Sequence, residues 1–345
     1  MSAIVKNMDS DQNWSYRAKI SPIGYDSARP FWSVMIPTYH CARYLRQTLE
    51  SVLAQDPRPD SMQIEVVDDC STLDDPEGVV KEIGQGRVTF YRQPQNVGHT
   101  KNFETCLRRA RGNVIHLLHG DDYVLDGFYQ KMQNAFESQP EIGAAFCRQI
   151  LIDDLGHQLH SSPLEQATSG IPNDWLERLA EEQRIMTPSI VVRRAVYERL
   201  GGFDSRLICS EDWEMWVRVA SQYPIWYEVE PLAVYRMHSA SNTGRHVRNG
   251  DDVRYNHMAI EIFKRYLPKE IANHVTKKAR ETYALSALET AYAMAMNRDV
   301  SAIFSQIREA LRLSPSLKVI RKTVGFLLRS GSTEVRRMIK REGSA

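Results

Sequence analysis

The segment NVIHLLHGDD, Asn113 to Asp122, decides how the chain is read. Its first six residues make an apolar run of the length of a buried parallel strand. The run stops at HGDD, where a glycine precedes two adjacent carboxylates. The same grammar recurs upstream. SVMIP (Ser33 to Pro37) is a short apolar run stopped by proline, QIEVVDD (Gln63 to Asp69) ends in acids, and RVTFYR (Arg87 to Arg92) is a further run. Between these runs, residues 43 to 54 place Leu45, Leu49, Val52 and Leu53 on one helical face, and residues 76 to 84 and 99 to 110 also read as helices. Strands that alternate with helices predict a parallel sheet covered on both faces. Such sheets bind ligands beyond the carboxyl ends of their strands. PTYH (37–40), DDCS (68–71) and HGDD (119–122) are therefore expected to converge on one rim.

Downstream of about residue 145 the alternation becomes irregular. Strands are expected near 144–152 and 189–193, and helices near 174–182 and 194–200. GGFD (Gly201 to Asp204) marks a turn, and a helix opens at SEDWEMW (Ser210 to Trp216). Beyond residue 250 the chain reads as helical. Residues 279–313 alternate small and large apolar positions, among them Ala279, Tyr283, Ala287, Ala291, Ala310 and Leu311, as in one helical-hairpin repeat. A single repeat cannot bury its own face. It must pack on the preceding domain or on a partner, which leaves room for a homo-oligomer. Residues 1–30 are polar and aperiodic and read as a loose arm. The expected organisation is thus an arm (1–30), an α/β domain (31–250) and a helical region (251–345).

The 345 residues carry a net charge of +1, so no global field points to nucleic acid. Five scattered cysteines, with no CxxC pair, fit a reducing cytoplasm better than a disulfide framework or a zinc site. No apolar run approaches the roughly 18 residues of a membrane span. The chain is expected in the cytoplasm, with peripheral contact on the inner face of a membrane left open.

Neither GxxxxGK[ST] nor GxGxxG is present. A nucleotide on this sheet would need another way to hold its phosphates, and a divalent cation on carboxylates is the natural substitute. Mn²⁺ and Mg²⁺ suit oxygen ligands and bridge carboxylates to phosphates. Asp121 and Asp122 repel one another unless a cation neutralises them. Alone, they read equally well as a helix cap or a solvated turn. Their strand-end position beside Asp68 and Asp69 favours a site.

SVMIPTYH, ESVLAQ (50–55), EVVDDCS (65–71), NVGHTKN (96–102), HGDDYVLDGF (119–128), GGFD, SEDWEMWVR (210–218) and YRMHSAS (235–241) follow one another in this order. Over residues 31–245 the chain resembles a family-2 glycosyltransferase. The resemblance implies a GT-A type nucleotide-sugar-binding domain with a mixed, mostly parallel sheet flanked by helices, plus a C-terminal helical extension. It implies inverting transfer from a UDP-, GDP- or dTDP-sugar to a glycan or lipid-linked acceptor in surface polysaccharide synthesis, with Mn²⁺ or Mg²⁺ as cofactor. Pro37, Tyr39 and Asp69 would line the base and ribose pocket with Asp68 beside them. Tyr39 offers a stacking face, or packs ordinarily. Asn96, Gly98, Lys101 and Asn102 would lie near the pyrophosphate or sugar. Many members place an acid two residues before the metal-binding Asp; here that position is His119. This leaves open which of Asp121 and Asp122 grips the metal and which holds the ribose.

Glu211 and Asp212 match the family's Glu-Asp pair, whose Asp is the catalytic base. They also suit a helix N-terminus, where a carboxylate stays ionised. Trp213 and Trp216 read as core positions more readily than as a sugar platform. His238 would complete the metal shell or touch the diphosphate, or is structural. Arg236 would neutralise phosphate from a mobile loop, with 239–246 as a lid. The alternatives to a transferase are a sugar nucleotidyltransferase, which would need a basic, glycine-rich triphosphate loop that PTYHCARYL lacks, and a non-catalytic scaffold that binds sugar nucleotides. In the tail, Leu317, Ile320, Val324, Leu327 and Leu328 share a helical face opposite Lys318, Lys322 and Arg329, and RRMIKR (336–341) follows. Residues 316–345 read either as a membrane-surface element or, slightly favoured, as a docking helix.

Overall fold

The computed structural model describes residues 15–24, 29–238, 246–296 and 299–329. The chain forms two compact units, residues 1–179 with 183–238 and residues 180–182 with 239–345.

The first unit opens with β1 (Trp32–Thr38), α1 (Ala42–Leu53), β2 (Met62–Asp68), α2 (Pro76–Gly84), β3 (Thr89–Arg92), α3 (His99–Arg109) and β4 (Val114–Leu117). Every residue of β1, β2 and β4 is buried, because helices cover both faces of these inner strands. The edge strand β3 is exposed or half-buried throughout. β1 pairs in parallel with β2, from Trp32 beside Met62 to Thr38 beside Asp68, and with β4 on its other side. The ladder continues past the strand ends. Leu118 N–H donates to Met35 O, Gly120 N–H to Pro37 O and Asp69 N–H to Thr38 O. These bonds align PTYH, DDCS and HGDD on one rim, as the sequence predicts.

Then follow β5 (Tyr123–Val124), α4 (Phe128–Ser138), β6 (Ala144–Ile152), β7 (Gln158–Ser161), α5 (Trp175–Glu181), β8 (Ile190–Arg193), α6 (Arg194–Leu200), α7 (Glu211–Ala220) and β9 (Ile225–Arg236). The sheet order is β3-β2-β1-β4-β8-β6-β9-β5, with β7 on β6. β8 runs antiparallel to β4 and β6, which makes the sheet mixed. The sequence does not announce β9. Glu228, Glu230 and Pro231 interrupt its apolar pattern, and its pairing with β6 shifts register at Cys147/Arg148 and Arg148/Gln149. β5 pairs with β9, Tyr123 beside Val234, and this brings the end of β9 to the acidic pair.

Residues 17–20 depart from the expected loose arm. Ala18 and Ile20 are buried, and Arg17 forms a bridge with Asp204. Arg17 reaches Asp204 at 3.9 Å and Glu214 at 3.6 Å. Two apolar side chains and a pairable cation suffice to dock this short stretch on the sheet unit.

The second unit contains α8 (Asp251–Phe263), α9 (Lys269–Met296), α10 (Val300–Leu313) and α11 (Leu317–Arg329). α9 and α10 form the expected hairpin around Ala284, Ala287, Leu288, Ala291, Ile303, Ile307 and Ala310. No described helix is long and apolar enough to cross a membrane.

Candidate active site

The acidic pair sits in a tight turn after β4. A side chain at Gly120 would meet Thr38 at 2.6 Å and Cys41 at 2.9 Å, so only glycine lets this turn approach β1 and α1. Asp122 is almost fully buried. Its Oδ1 accepts the Arg236 backbone N–H at 2.8 Å, and its carbonyl accepts the Thr48 hydroxyl at 2.7 Å. Its Oδ2 has no hydrogen-bond partner and lies 3.4 Å from His119 Nδ1. His119 Nε2 is likewise buried without a partner. One ligand atom each from His119, Asp121 and Asp122 can gather within 4.8 Å. Buried donor atoms left unpaired around clustered carboxylates are what a divalent cation would satisfy. The residues present therefore fit a metal.

His238 stands outside that cluster. Its Nε2 is 2.9 Å from Asp121 Oδ2, so it holds the carboxylate rather than converging with the other three. His119 joins the cluster instead; the sequence marks it only as a departure from the family pattern. Burial works against the charge on Asp121, but His238 and His119 outweigh it and hold this carboxyl below the ordinary range. Burial and the charge of Asp121 push Asp122 up to about 6. Burial lowers the His119 pKa, and the carboxylates of Asp122, Asp121 and Asp212 more than reverse that, so it ends raised.

Arg236 corrects an expectation. It lies at the end of β9, is buried, and donates to the carbonyl of Asp121 at 3.0 Å and to Gln47 at 2.7 Å, over the face of Tyr44. It braces the acidic turn and is not on a loop. Of the expected lid, residues 239–245 lie outside the described residues.

The other acids of the rim divide by their partners. Asp68 is fully buried and accepts from Arg92 Nε (2.8 Å), Ser71 N–H (3.0 Å) and the Ser71 hydroxyl (2.6 Å). It shapes the DDCS loop from within. Asp69 accepts the N–H groups of Val97 (2.8 Å) and Gly98 (3.0 Å), which lead into α3. Burial raises its pKa despite those bonds. Asn96 donates to Asp69 O, and Asn102 to Val67 O. Asp69, Asn96 and Asn102, three polar residues, lock the strand end to α3. Gly98 has φ +85°, which glycine adopts freely, and nothing lies within 4 Å of where a Cβ would be. Pro37 is buried in β1, Lys101 is exposed on α3, and Tyr39 is 43% exposed, a solvent-facing ring rather than a core one.

Asp212 enters from α7. The position of that helix is set by charge buried beneath it. Arg218 and Glu214, both fully buried, pair at 3.0 and 2.9 Å, and Arg218 also donates to Leu200 O and Gly202 O of the GGFD turn. Trp213 and Trp216 are buried, which settles them as core. Ser210, with φ 64°, turns the chain into the helix, and its side chain makes no cap hydrogen bond. His40 (φ 51°) and Cys70 (φ 62°) show the same left-handed backbone in the PTYH and DDCS loops of the rim. Asp212 accepts from Gln183 Nε2 at 2.7 Å and from Trp213 N–H at 2.8 Å. Burial and the charge of Glu211 push it up to about 7, so the helix terminus does not keep it strongly acidic as expected. Glu211 meets His99 Nε2 at 3.1 Å. Burial lowers the His99 pKa, but Glu211 leaves it raised. Phe103 lies between the two histidines, stacked on His119 at 5.2 Å and edge-on to His99 at 5.5 Å. The HGDD turn and the start of α7 are therefore neighbours, linked through His119, Phe103 and His99, and the charge of Asp212 is felt at His119. The sequence gives His99 no role, although it stands inside NVGHTKN.

The family model for glycosyl transferase family 2 matches residues 33–201. A Mycobacterium tuberculosis relative, the uncharacterized protein MT1568, is 30% identical over 237 residues, 65% of this chain and 73% of its own. The chain belongs to glycosyl transferase family 2. The uncharacterized glycosyltransferase MJ1057 of Methanocaldococcus jannaschii is 27% identical over 62% of this chain and 73% of its own. In three dimensions this family-2 chain is similar to Staphylococcus aureus TarS residues 1–349, solved with UDP-GlcNAc, with a TM-score of 0.62, 16% identity and 82% of each chain covered. It is also similar to the Pyrobaculum calidifontis mannosyltransferase PcManGT, solved with GDP-Man and Mn²⁺, with a TM-score of 0.51, 18% identity and coverage of 86% and 88%. Its sheet unit has the GT-A type of fold, and its role is glycosyl transfer.

Proposed function

We propose that this glycosyltransferase moves a sugar, with inversion, from a nucleoside-diphosphate sugar to a hydroxyl of a glycan or lipid-linked acceptor in polysaccharide synthesis. The observation that carries the reading is a His119–Asp121–Asp122 cluster able to take a cation, with Asp212, a carboxyl pushed up to about 7, close enough for its charge to act on His119. Solved structures of similar fold bind UDP-GlcNAc, and GDP-Man with Mn²⁺, which supports a UDP- or GDP-sugar over other nucleotides; a dTDP-sugar remains in the same chemical class. Asp122, Asp121 and His119 would hold Mn²⁺ or Mg²⁺, which as a Lewis acid offsets the negative charge of the departing diphosphate. His238 keeps the Asp121 carboxylate oriented. Tyr39 offers its exposed ring to the base, and Asp69 fixes the start of α3 beside it.

Asp212 takes the acceptor hydroxyl's proton as its oxygen attacks the anomeric carbon. A pKa near the working pH is what a general base needs, because it is deprotonated often enough and still accepts a proton. Gln183 and the Trp213 N–H hold the carboxylate in place, and no covalent intermediate is required. Free cysteines without disulfides among the described residues support a cytoplasmic setting.

A thermal-shift screen of UDP-, GDP- and dTDP-sugars with Mn²⁺, followed by donor hydrolysis, tests the reading. One donor class should raise the melting temperature only when metal is present, and Asp122→Ala should abolish that shift. If no sugar nucleotide binds with metal, the donor assignment fails.

A further inference from the structure

α11 carries two apolar faces, and the second unit covers only one of them. Val319, Thr323 and Phe326 are buried, with Val319 and Phe326 in the α9–α10 core and Phe326 edge-on to Tyr292 at 6.1 Å. The face of Leu317, Ile320, Val324, Leu327 and Leu328 points outward, with Leu317 71% and Leu328 68% exposed. These five residues span about 100° of the helix at 3.6 residues per turn. The sequence favours this stripe as the docking face, and the structure reverses that: the helix docks through its other side. A helix that only packs on its neighbours needs one apolar stripe. A contiguous exposed one marks an interaction surface.

Charge selects the occupant. Arg321 is exposed at the border of the stripe, while Lys318 and Lys322 are exposed on the opposite side of the helix. Lys318 and Lys322 lean towards Glu281 and Glu289 of α9, at 3.8 and 2.7 Å. From residue 316 to the end, the sequence holds eight Lys/Arg against two Glu. At 13 residues, α11 is too short to span a bilayer.

We propose that the Leu317–Leu328 face of α11 inserts into the interfacial layer of an anionic phospholipid bilayer. The leucines reach the acyl boundary while Arg321, beside them, meets the phosphate headgroups. The full-length protein should co-sediment with vesicles of phosphatidylglycerol and phosphatidylcholine and not with phosphatidylcholine alone. Val324→Glu with Leu328→Glu, both at exposed positions, should weaken that binding about tenfold or more. Arg321→Gln alone should weaken it about fivefold, the effect of one lipid-facing cation. Three results overturn the proposal: no sedimentation with anionic vesicles, equal sedimentation of the double variant, or a dimer by light scattering that the double variant dissociates. The readout does not involve sugar transfer, so its failure and that of the donor assignment are distinguishable.

Discussion

Asp212→Asn should slow the enzyme and stabilise it together. Asn keeps an oxygen for the Trp213 N–H, bonded now at 2.8 Å to Oδ1, and Gln183 can present its amide oxygen where Nε2 now donates to Oδ2. The packing is therefore retained and only the base is lost. General base removal costs roughly 10²–10⁴-fold in kcat, with donor affinity nearly unchanged. Stability moves the other way. The carboxyl goes from the ordinary 3.8 to about 7 in the folded protein, so the folded state holds its proton more tightly than the unfolded chain does. The ionised side chain adds no penalty below pH 3.8, weakens folding progressively as pH rises to about 7, and keeps its full cost above that. At pH 8 the shift corresponds to roughly 4 kcal/mol as an upper bound, and solvent reaching the partly exposed carboxylate leaves on the order of 2 kcal/mol. Urea unfolding of both proteins at pH 8 and near pH 4, alongside turnover at pH 7.5, measures the two effects. A variant with kcat within tenfold of the parent removes Asp212 as base. A variant less stable than the parent at pH 8 refutes the desolvation argument.

Glu211→Gln removes the charge that, after burial, does most to raise Asp212. The acidic limb of the kcat/KM profile should then move to lower pH, and a limb that stays put or moves up contradicts the coupling. Glu214→Gln leaves Arg218 fully buried and Arg17 nearly so, facing a neutral amide. Unfolding free energy should fall by about 3 kcal/mol, read from the urea midpoint, and a loss under about 1 kcal/mol would show that the network carries little.

The parallel half of the sheet is legible because its inner strands are buried on both faces, which writes mostly apolar runs into 33–37, 63–67 and 113–118, interrupted inside by Glu65 and His116 alone. β9 is not legible, since Glu228, Glu230 and Pro231 break its pattern where the strand bulges against β6. That omission carries into the site. Without β9, Arg236 reads as a loop cation reaching for phosphate, whereas in the sheet its backbone and side chain both hold the HGDD turn. Adjacent carboxylates can be found from spacing, because their mutual repulsion is a local fact. The role of His99 cannot, because its partner Glu211 lies 112 positions away and meets it only in three dimensions.

Helical periodicity has a related limit. On α11 the stripe of Leu317, Ile320, Val324, Leu327 and Leu328 and the flank of Val319 and Phe326 are both apolar, so a helical wheel shows amphipathicity without showing which side is covered. The left-handed residues at the rim leave no signal at all. His40, Cys70 and Ser210 hold φ between 51° and 64° with side chains that ordinarily avoid it, each where a strand end or helix start delivers a polar group to the pocket. Glycine would relieve that strain but would also free the loop. A non-glycine held there by Ser71 accepting the His40 N–H at 2.9 Å, or, beside Cys70, by Asp68 accepting the Ser71 N–H and Asp69 accepting the Gly98 N–H, keeps the rim narrow in conformation. At His40 and Cys70 these bonds fix the strand ends that carry Asp68 and Asp69 to the rim before any donor arrives.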